Sequence, residues 1–393
     1  MTRYLARCIH GLEWVCADEI HDALDGIGGA GGIAMRRREV TFEAAGMAGV
    51  RTADDVFVDV GRAHFGPSRI RHGAGVGAAG RPTADFVARA VATLPWPEGV
   101  AAVAATRPLP RAPLLDVVAV VEGVRGLSRF DVEHAVGPVL ERIVGGRHLV
   151  RTPQGREPGD PALTLRVAVD SSTVSGGVRL GARPAHRRPW KLDTGPGTLH
   201  PPMAAALVRL AAPRRGERVI DPFCGDGTIV VEAALAAPGA VVHGSDLDAG
   251  RVEGARRNTV RARMDVGLGV ADAGRSRPGP PYDVVITNPP WNLAVGSRGA
   301  LTSGLDPFWR ALPRLLAPTG RLVVVADASL DVHAVLSRVG LADALTVRTR
   351  LAGRIADVVM AGQVGAPEAP LAAGLARWRR RALIEGVVTP TGF

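Results

Sequence analysis

Lysine is almost absent from this chain: Lys191 is the only one among 393 residues. Lys+Arg total 48 and the formal net charge is +10, so the positive charge is arginine almost throughout. An excess of that sign fits a polyanionic partner, and the guanidinium fork suits phosphate. A GC-rich coding sequence, rich in Ala, Gly and Pro codons, produces the same bias. Cysteine is scarce too. Cys8, Cys16 and Cys224 form no CxxC pair, and no nearby histidine completes a zinc site, so no metal is expected. They read as buried thiols in a reducing compartment. No apolar run is long enough to cross a membrane, and Glu13, Asp18 and Glu19 break up any secretory h-region. With 46% hydrophobic and 22% charged residues the chain is globular, and its length accommodates two or three cores. The expectation is a cytoplasmic protein with no membrane contact, its oligomeric state open and a monomer favoured.

What is present divides into stretches of different pattern. Residues 1–65 read as a small α+β unit: a strand over 4–9, a helix over 11–24, a glycine-rich loop, then strands over 33–42 and 56–65 with a short helix between. Residues 66–80 read as a Gly- and Arg-rich connector. Residues 83–182 form a second unit, with helices over 84–94 and 132–144 and strands over 163–169 and 173–180. Residues 183–197 hold Arg187, Arg188 and Lys191 around Trp190. This basic linker reads equally well as a solvated connector and as a strap that contacts phosphate. From 198 to 362 strands alternate with helices and the stretch ends in two consecutive strands. That is an α/β pattern, a parallel sheet closed by a terminal hairpin. Residues 363–393 form a tail with arginines around Trp378.

Two motifs lie in the α/β part. Asp221-Pro222-Phe223-Cys224-Gly225-Asp226-Gly227-Thr228 reads as a strand end, a tight glycine turn and a helix start. Gly225 and Gly227 leave room for a ligand to approach the backbone. A helix beginning near Thr228 offers N–H groups and a positive dipole end to a carboxylate. Asp246, ending the next strand, is placed for two ribose hydroxyls, and Asp272, after the third, for an adenine amino group. Asp248 reads as a helix cap. A dinucleotide fold shares this geometry, but its fingerprint wants a glycine where Val230 stands. S-adenosylmethionine (SAM) is the expected cofactor, with Asp221, Phe223, Gly225, Asp226, Gly227, Thr228, Asp246 and Asp272 around it.

The second motif is Asn288-Pro289-Pro290-Trp291, following a strand. An exocyclic amine on a base is a poor nucleophile because its lone pair is delocalised into the ring. The side-chain oxygen of Asn288 and the carbonyl of Pro289 could accept its two hydrogens. Pro290 stiffens the loop and Trp291 can stack on the base. Transfer is then a direct displacement governed by positioning, on a base that is unpaired or flipped out. A Pro-Pro turn beside a core tryptophan is the plainer reading of these residues alone.

Together the two motifs resemble the putative RNA methylase family, whose members carry D-P-x-C-G-(S/T/G)-G-T and (D/N)-P-P-(Y/F/W). Arg3 to Ile20 looks like the start of a ferredoxin-like domain and residues 83–182 like a THUMP domain. His186-Arg187-Arg188-Pro189-Trp190 with Pro196-Gly197-Thr198-Leu199-His200-Pro201 resembles the bridge to the catalytic domain. The resemblance reaches about residue 362. It implies a Rossmann-like SAM-dependent methyltransferase sheet preceded by α+β ferredoxin-like and THUMP domains. It also implies methylation of guanine N2 in tRNA, with Asn288, Pro289 and Trp291 catalytic and Gly225, Gly227 and Asp246 at the cofactor. Asp226 departs from the usual small residue, and Trp291-Asn292 from the usual aromatic-glycine step. An adenine-N6 methyltransferase on RNA or DNA is the neighbouring alternative. An RNA-binding protein with an inactive catalytic domain is the alternative from another class.

Overall fold

The computed structural model describes every residue except 26–30, 48, 65–81, 153, 157–158, 276–278, 292–298, 352, 365–370 and 391–393. The connector expected over 66–80 and Asn292 lie outside the described residues.

The N-terminal half alternates apolar and polar residues along its strands, as expected of a sheet covered on one face. In chain order it runs β1 (Thr2–Cys8), α1 (Glu13–Asp25), β2 (Gly31–Arg36), β3 (Glu39–Ala44), β4 (Ala53–His64), α2 (Ala84–Val91), α3 (Trp96–Ala104), β5 (Leu114–Val121), α4 (Arg129–Val144), β6 (Arg147–His148), β7 (Arg151–Thr152), β8 (Gly155–Arg156), β9 (Leu163–Val169) and β10 (Thr173–Arg179). Eight of these strands form one sheet in the order β2-β3-β1-β4-β10-β9-β5-β6. The strands of residues 1–65 and of 83–182 are therefore continuous, joined where β4 pairs antiparallel with β10. The single strand expected over 33–42 is a hairpin: Arg38, at φ 62°, turns the chain between β2 and β3. No helix lies between residues 42 and 56 among the described residues, while β5 and α3 had no sequence expectation. The start of α4 follows from a capping box between Ser128 and Asp131, and Gly145 ends it in the left-handed region.

The second half carries near-continuous apolar strands, as parallel strands buried on both faces require. It comprises α5 (Pro201–Ala211), β11 (Arg218–Asp221), α6 (Thr228–Ala236), β12 (Val241–Asp246), α7 (Ala249–Ala262), β13 (Gly267–Val270), β14 (Tyr282–Thr287), α8 (Asp306–Leu315), β15 (Leu316–Asp327), α9 (Val332–Arg338), β16 (Leu341–Leu351), β17 (Arg354–Gln363) and, in the tail, α10 (Ala373–Ile384). The sheet order is β13-β12-β11-β14-β15-β17-β16, all parallel except β17, which pairs antiparallel with both neighbours. This is the parallel sheet with a terminal hairpin expected from the sequence. Alternate residues feed two cores. Val219, Val284, Ile286, Val323 and Val325 face one that is continuous with the core of the first sheet. Ile220, Val285, Leu322 and Val324 face another, built with Phe308, Trp309 and Leu312 of α8.

Candidate active site

The strand order reverses between β11 and β14, the position where open α/β sheets bind ligands at their carboxyl ends. Both sequence motifs converge there. Asp221, the last residue of β11, is 2% exposed, and one carboxylate oxygen accepts from the Phe223 N–H (3.0 Å) and the Thr287 hydroxyl (2.8 Å). Burial lifts its pKa to about 7 against those two hydrogen bonds, and the charge of Asp246 adds to the rise. Asp221 was expected beside the cofactor. It lies beneath the loop instead, tying the glycine turn to the strand that presents Asn288.

Gly225 (φ 50°) and Gly227 (φ 79°) are both left-handed, a conformation a side chain would strain. A Cβ on Gly227 would lie 3.0 Å from the Ala255 side chain. Gly227 caps α6 without any side-chain hydrogen bond, so that helix start keeps its N–H groups for an anion. Asp246 at the end of β12 accepts from the N–H of Gly225 (3.0 Å) and of Asp248 (3.0 Å), one to each oxygen. Asp248 caps α7, as expected. Phe223 packs edge-on against Phe308, 4.9 Å between centroids, and walls the loop from the second core.

Three expected cofactor or substrate contacts also have partners within the chain. Asp226 is 5% exposed; one oxygen accepts from the Gly195 N–H (2.7 Å) and the Thr198 hydroxyl (2.9 Å) and lies 3.3 Å from Arg251. Its charge holds the linker to the catalytic domain. Asp272 accepts from the N–H of Gly274 (3.0 Å) and of Ala300 (2.8 Å), which fixes the turn at Gly299–Leu301. Lys191, expected at the RNA, turns inward and donates to the Thr228 hydroxyl (2.7 Å) at the start of α6; burial depresses its pKa to about 8.

The linker arginines part company. Arg187 is exposed. Arg188 has a side chain only 7% exposed and donates to Glu232 of α6 (2.9 Å), to the Ala185 carbonyl (2.5 Å) and to the Arg51 carbonyl (2.5 Å). Charge composition alone could not separate them, because Glu232 and Arg51, which engage Arg188, lie far off in sequence.

Asn288 leaves β14 with its amide nitrogen 3.5 Å from the Gly197 carbonyl of the linker. The side-chain oxygen is buried and has no hydrogen-bond partner among the described residues. Pro289 is buried and Pro290 half-buried beside it. Trp291 packs partly buried against the main core, its indole N–H also without a partner among the described residues. Buried polar atoms left unpaired are uncommon and destabilising, so an acceptor and a donor within one short motif after β14 suit a ligand that supplies their complements.

Sequence reasoning missed Asn258, fully buried on α7. Its oxygen accepts from the N–H of Leu192 (2.7 Å) and of Asp193 (3.1 Å), and its nitrogen donates to the Asp226 carbonyl (2.8 Å). It also missed Glu232, 1% exposed. An acid within the otherwise apolar α6 was the available signal.

Residues 188–356 match the family model described as RMKL-like, methyltransferase domain. A tRNA (guanine(6)-N2)-methyltransferase of Thermus thermophilus is 35% identical over 244 residues, 60% of this chain and 66% of that protein. One of the same name from Archaeoglobus fulgidus is 32% identical over 42% of this chain and 49% of its own length. A tRNA (guanine(10)-N2)-dimethyltransferase of Methanothermobacter thermautotrophicus is 32% identical over 44% of this chain and 49% of its own. The chain thus spans 66% of the first of these curated relatives and about half of the other two. Among solved structures, TrmN from Thermus thermophilus superposes with a TM-score of 0.69 at 27% identity, over 93% of this chain and 100% of that one. SMU.472, solved in complex with SAH, gives 0.65 at 14% identity over 93% and 99%. Residues 188–356 thus resemble the RMKL-like methyltransferase domain, and they are joined to an N-terminal sheet within a fold shared with TrmN.

Proposed function

We propose that this chain methylates the exocyclic N2 of a guanine in tRNA, with SAM as methyl donor. The observation that carries the reading is the side-chain oxygen of Asn288 at the end of β14, buried and without a hydrogen-bond partner among the described residues. It is held beside a left-handed glycine turn through the shared tie to Asp221. An acceptor in that place suits an amine hydrogen, and acceptors that hold the amine hydrogens out of the ring plane weaken conjugation and localise the lone pair on nitrogen. Pro289 offers its carbonyl as a second acceptor, and Trp291 an aromatic face for the base.

The residues present fit the cofactor. The uncapped start of α6 suits the methionine carboxylate, and Asp246 retains acceptor capacity for ribose hydroxyls. The cofactor, when bound, supplies an electrophilic methyl group, and the chain's part is to align the amine with it. Guanine rather than adenine follows the names of the relatives, two of which specify position 6. The N-terminal sheet, including the THUMP-like residues 83–182, is assigned to gripping the tRNA, and the protein to the cytoplasm.

The deciding experiment is transfer of labelled methyl from SAM to total tRNA, rRNA and DNA, with nucleoside analysis by mass spectrometry. N2-methylguanosine in tRNA is the expected product. N6-methyladenosine would overturn the base assignment, and no product from any pool would overturn the enzymatic reading.

A further inference from the structure

Glu232 lies on α6 one turn after Thr228, so the two side chains share a face. That face receives three cations. Lys191 reaches Thr228 from the linker (2.7 Å), Arg188 reaches Glu232 from the linker (2.9 Å), and Arg51 reaches Glu232 from the turn just before β4 of the N-terminal sheet (2.6 Å). Arg51 is itself anchored. Its N–H and that of Thr52 donate to the Glu19 carboxylate of α1 (2.9 and 2.8 Å), and its carbonyl accepts from Arg188. A continuous chain of charge-assisted bonds thus runs from α1 through Arg51 and Glu232 into the helix whose start faces the cofactor site. Two other ties join the same halves: Arg209 of α5 with Asp18 and Asp22 of α1, and the Thr349 hydroxyl with the His10 carbonyl.

A buried ion triad contributes little net stability compared with apolar side chains of the same volume; its best-attested use is to specify one arrangement among several. Apolar surfaces can slide over one another, whereas a carboxylate at 1% exposure between two guanidiniums cannot. We infer that Glu232 is a positioning residue that sets which nucleotide is methylated, by fixing the span between the RNA-gripping sheet and the cofactor helix. The inference rests on the proposed tRNA substrate. If the sheet grips the body of the RNA and the catalytic domain takes one base, their relative placement decides which base arrives. A displacement of about 1 Å lowers a rate on the order of 100-fold.

The test uses the full chain with Arg51→Met, which removes the N-terminal leg and keeps the Arg188–Glu232 pair, and with Glu232→Gln. Spin labels at Glu43→Cys and Val260→Cys, both exposed positions, report the distance between the halves without any activity being needed. The expected result is a broadened distance distribution, SAM affinity within about twofold of the parent, and a turnover loss of about tenfold or more. Methyl groups should also appear on guanosines neighbouring the parental position. A distribution as sharp as the parent's in both variants would overturn the inference, as would broadening with the methylated position unchanged. A parallel loss of SAM affinity would reassign Glu232 to the cofactor helix alone. Should Glu232→Gln not fold, Arg51→Met carries the test. Absence of methyl transfer by the parent would count against the proposed function, while the distance measurement would still judge the brace.

Discussion

Asn288 and Lys191 make opposite demands on the same linker. Under the proposed function the Asn288 oxygen meets the substrate amine, so its loss touches chemistry more than cofactor, while its amide nitrogen lies 3.5 Å from the Gly197 carbonyl. Asn288→Ala is expected to lower kcat by a factor on the order of 10²–10³, the size of effect seen when one aligned polar group is removed from an active site. SAM affinity measured by calorimetry should stay within about twofold. Lys191 instead carries a cost that depends on pH. Burial lowers its pKa to about 8 from the ordinary 10.5. Below pH 8 the ammonium is charged in both folded and unfolded chains and the burial cost is fully present. Between 8 and 10.5 the folded chain has released the proton while the unfolded chain still holds it, so stability from this group rises with pH. The unfolding free energy of the parent minus that of Lys191→Met should therefore increase across that window. A flat difference from pH 7 to 10.5 would place the ammonium in water.

At the scale of elements, the glycine turn between β11 and α6 is the part with least tolerance. Gly227→Ala must hold a side chain at φ 79° and bring its Cβ to 3.0 Å from Ala255. The left-handed strain alone costs about 1–2 kcal/mol, and the crowding pushes α7 away from the loop. Denaturant unfolding should show a loss of at least that size, together with weaker SAM binding. This turn was legible in the sequence, as was nearly every element from α5 to β17, because periodicity, glycine and proline mark those boundaries locally. The β2–β3 hairpin was not legible: its turn residues, Arg37 and Arg38, are neither glycine nor proline, and the strands pair through a left-handed arginine. In the site, Asn288 and the two glycines could be read from their types alone. The engagements of Asp226, Asp272 and Arg188 could not, since each depends on a partner more than 25 residues away that only the tertiary fold brings near.

For the molecule as a whole, the count of 48 basic residues overstates how many are free to meet a polyanion, because several arginines are paired internally. Arg188, Arg51 and Arg209 bind the halves together through Glu232, Asp18 and Asp22, whereas their neighbour Arg187 lies exposed on the linker. Adjacent arginines should therefore respond to different measurements. Arg187→Ala removes one exposed charge; if it contacts phosphate, tRNA affinity falls and the slope of log affinity against log salt shrinks by about one. Thermal stability should not change. Arg188→Ala leaves the Glu232 carboxylate buried beside Arg51 alone and should destabilise the fold by about 3 kcal/mol, the lower end for breaking a buried pair. Its salt slope should match the parent's under conditions where the variant is folded. A flattened slope with Arg188→Ala and an unchanged one with Arg187→Ala would reverse the assignment and place the buried arginine on the RNA.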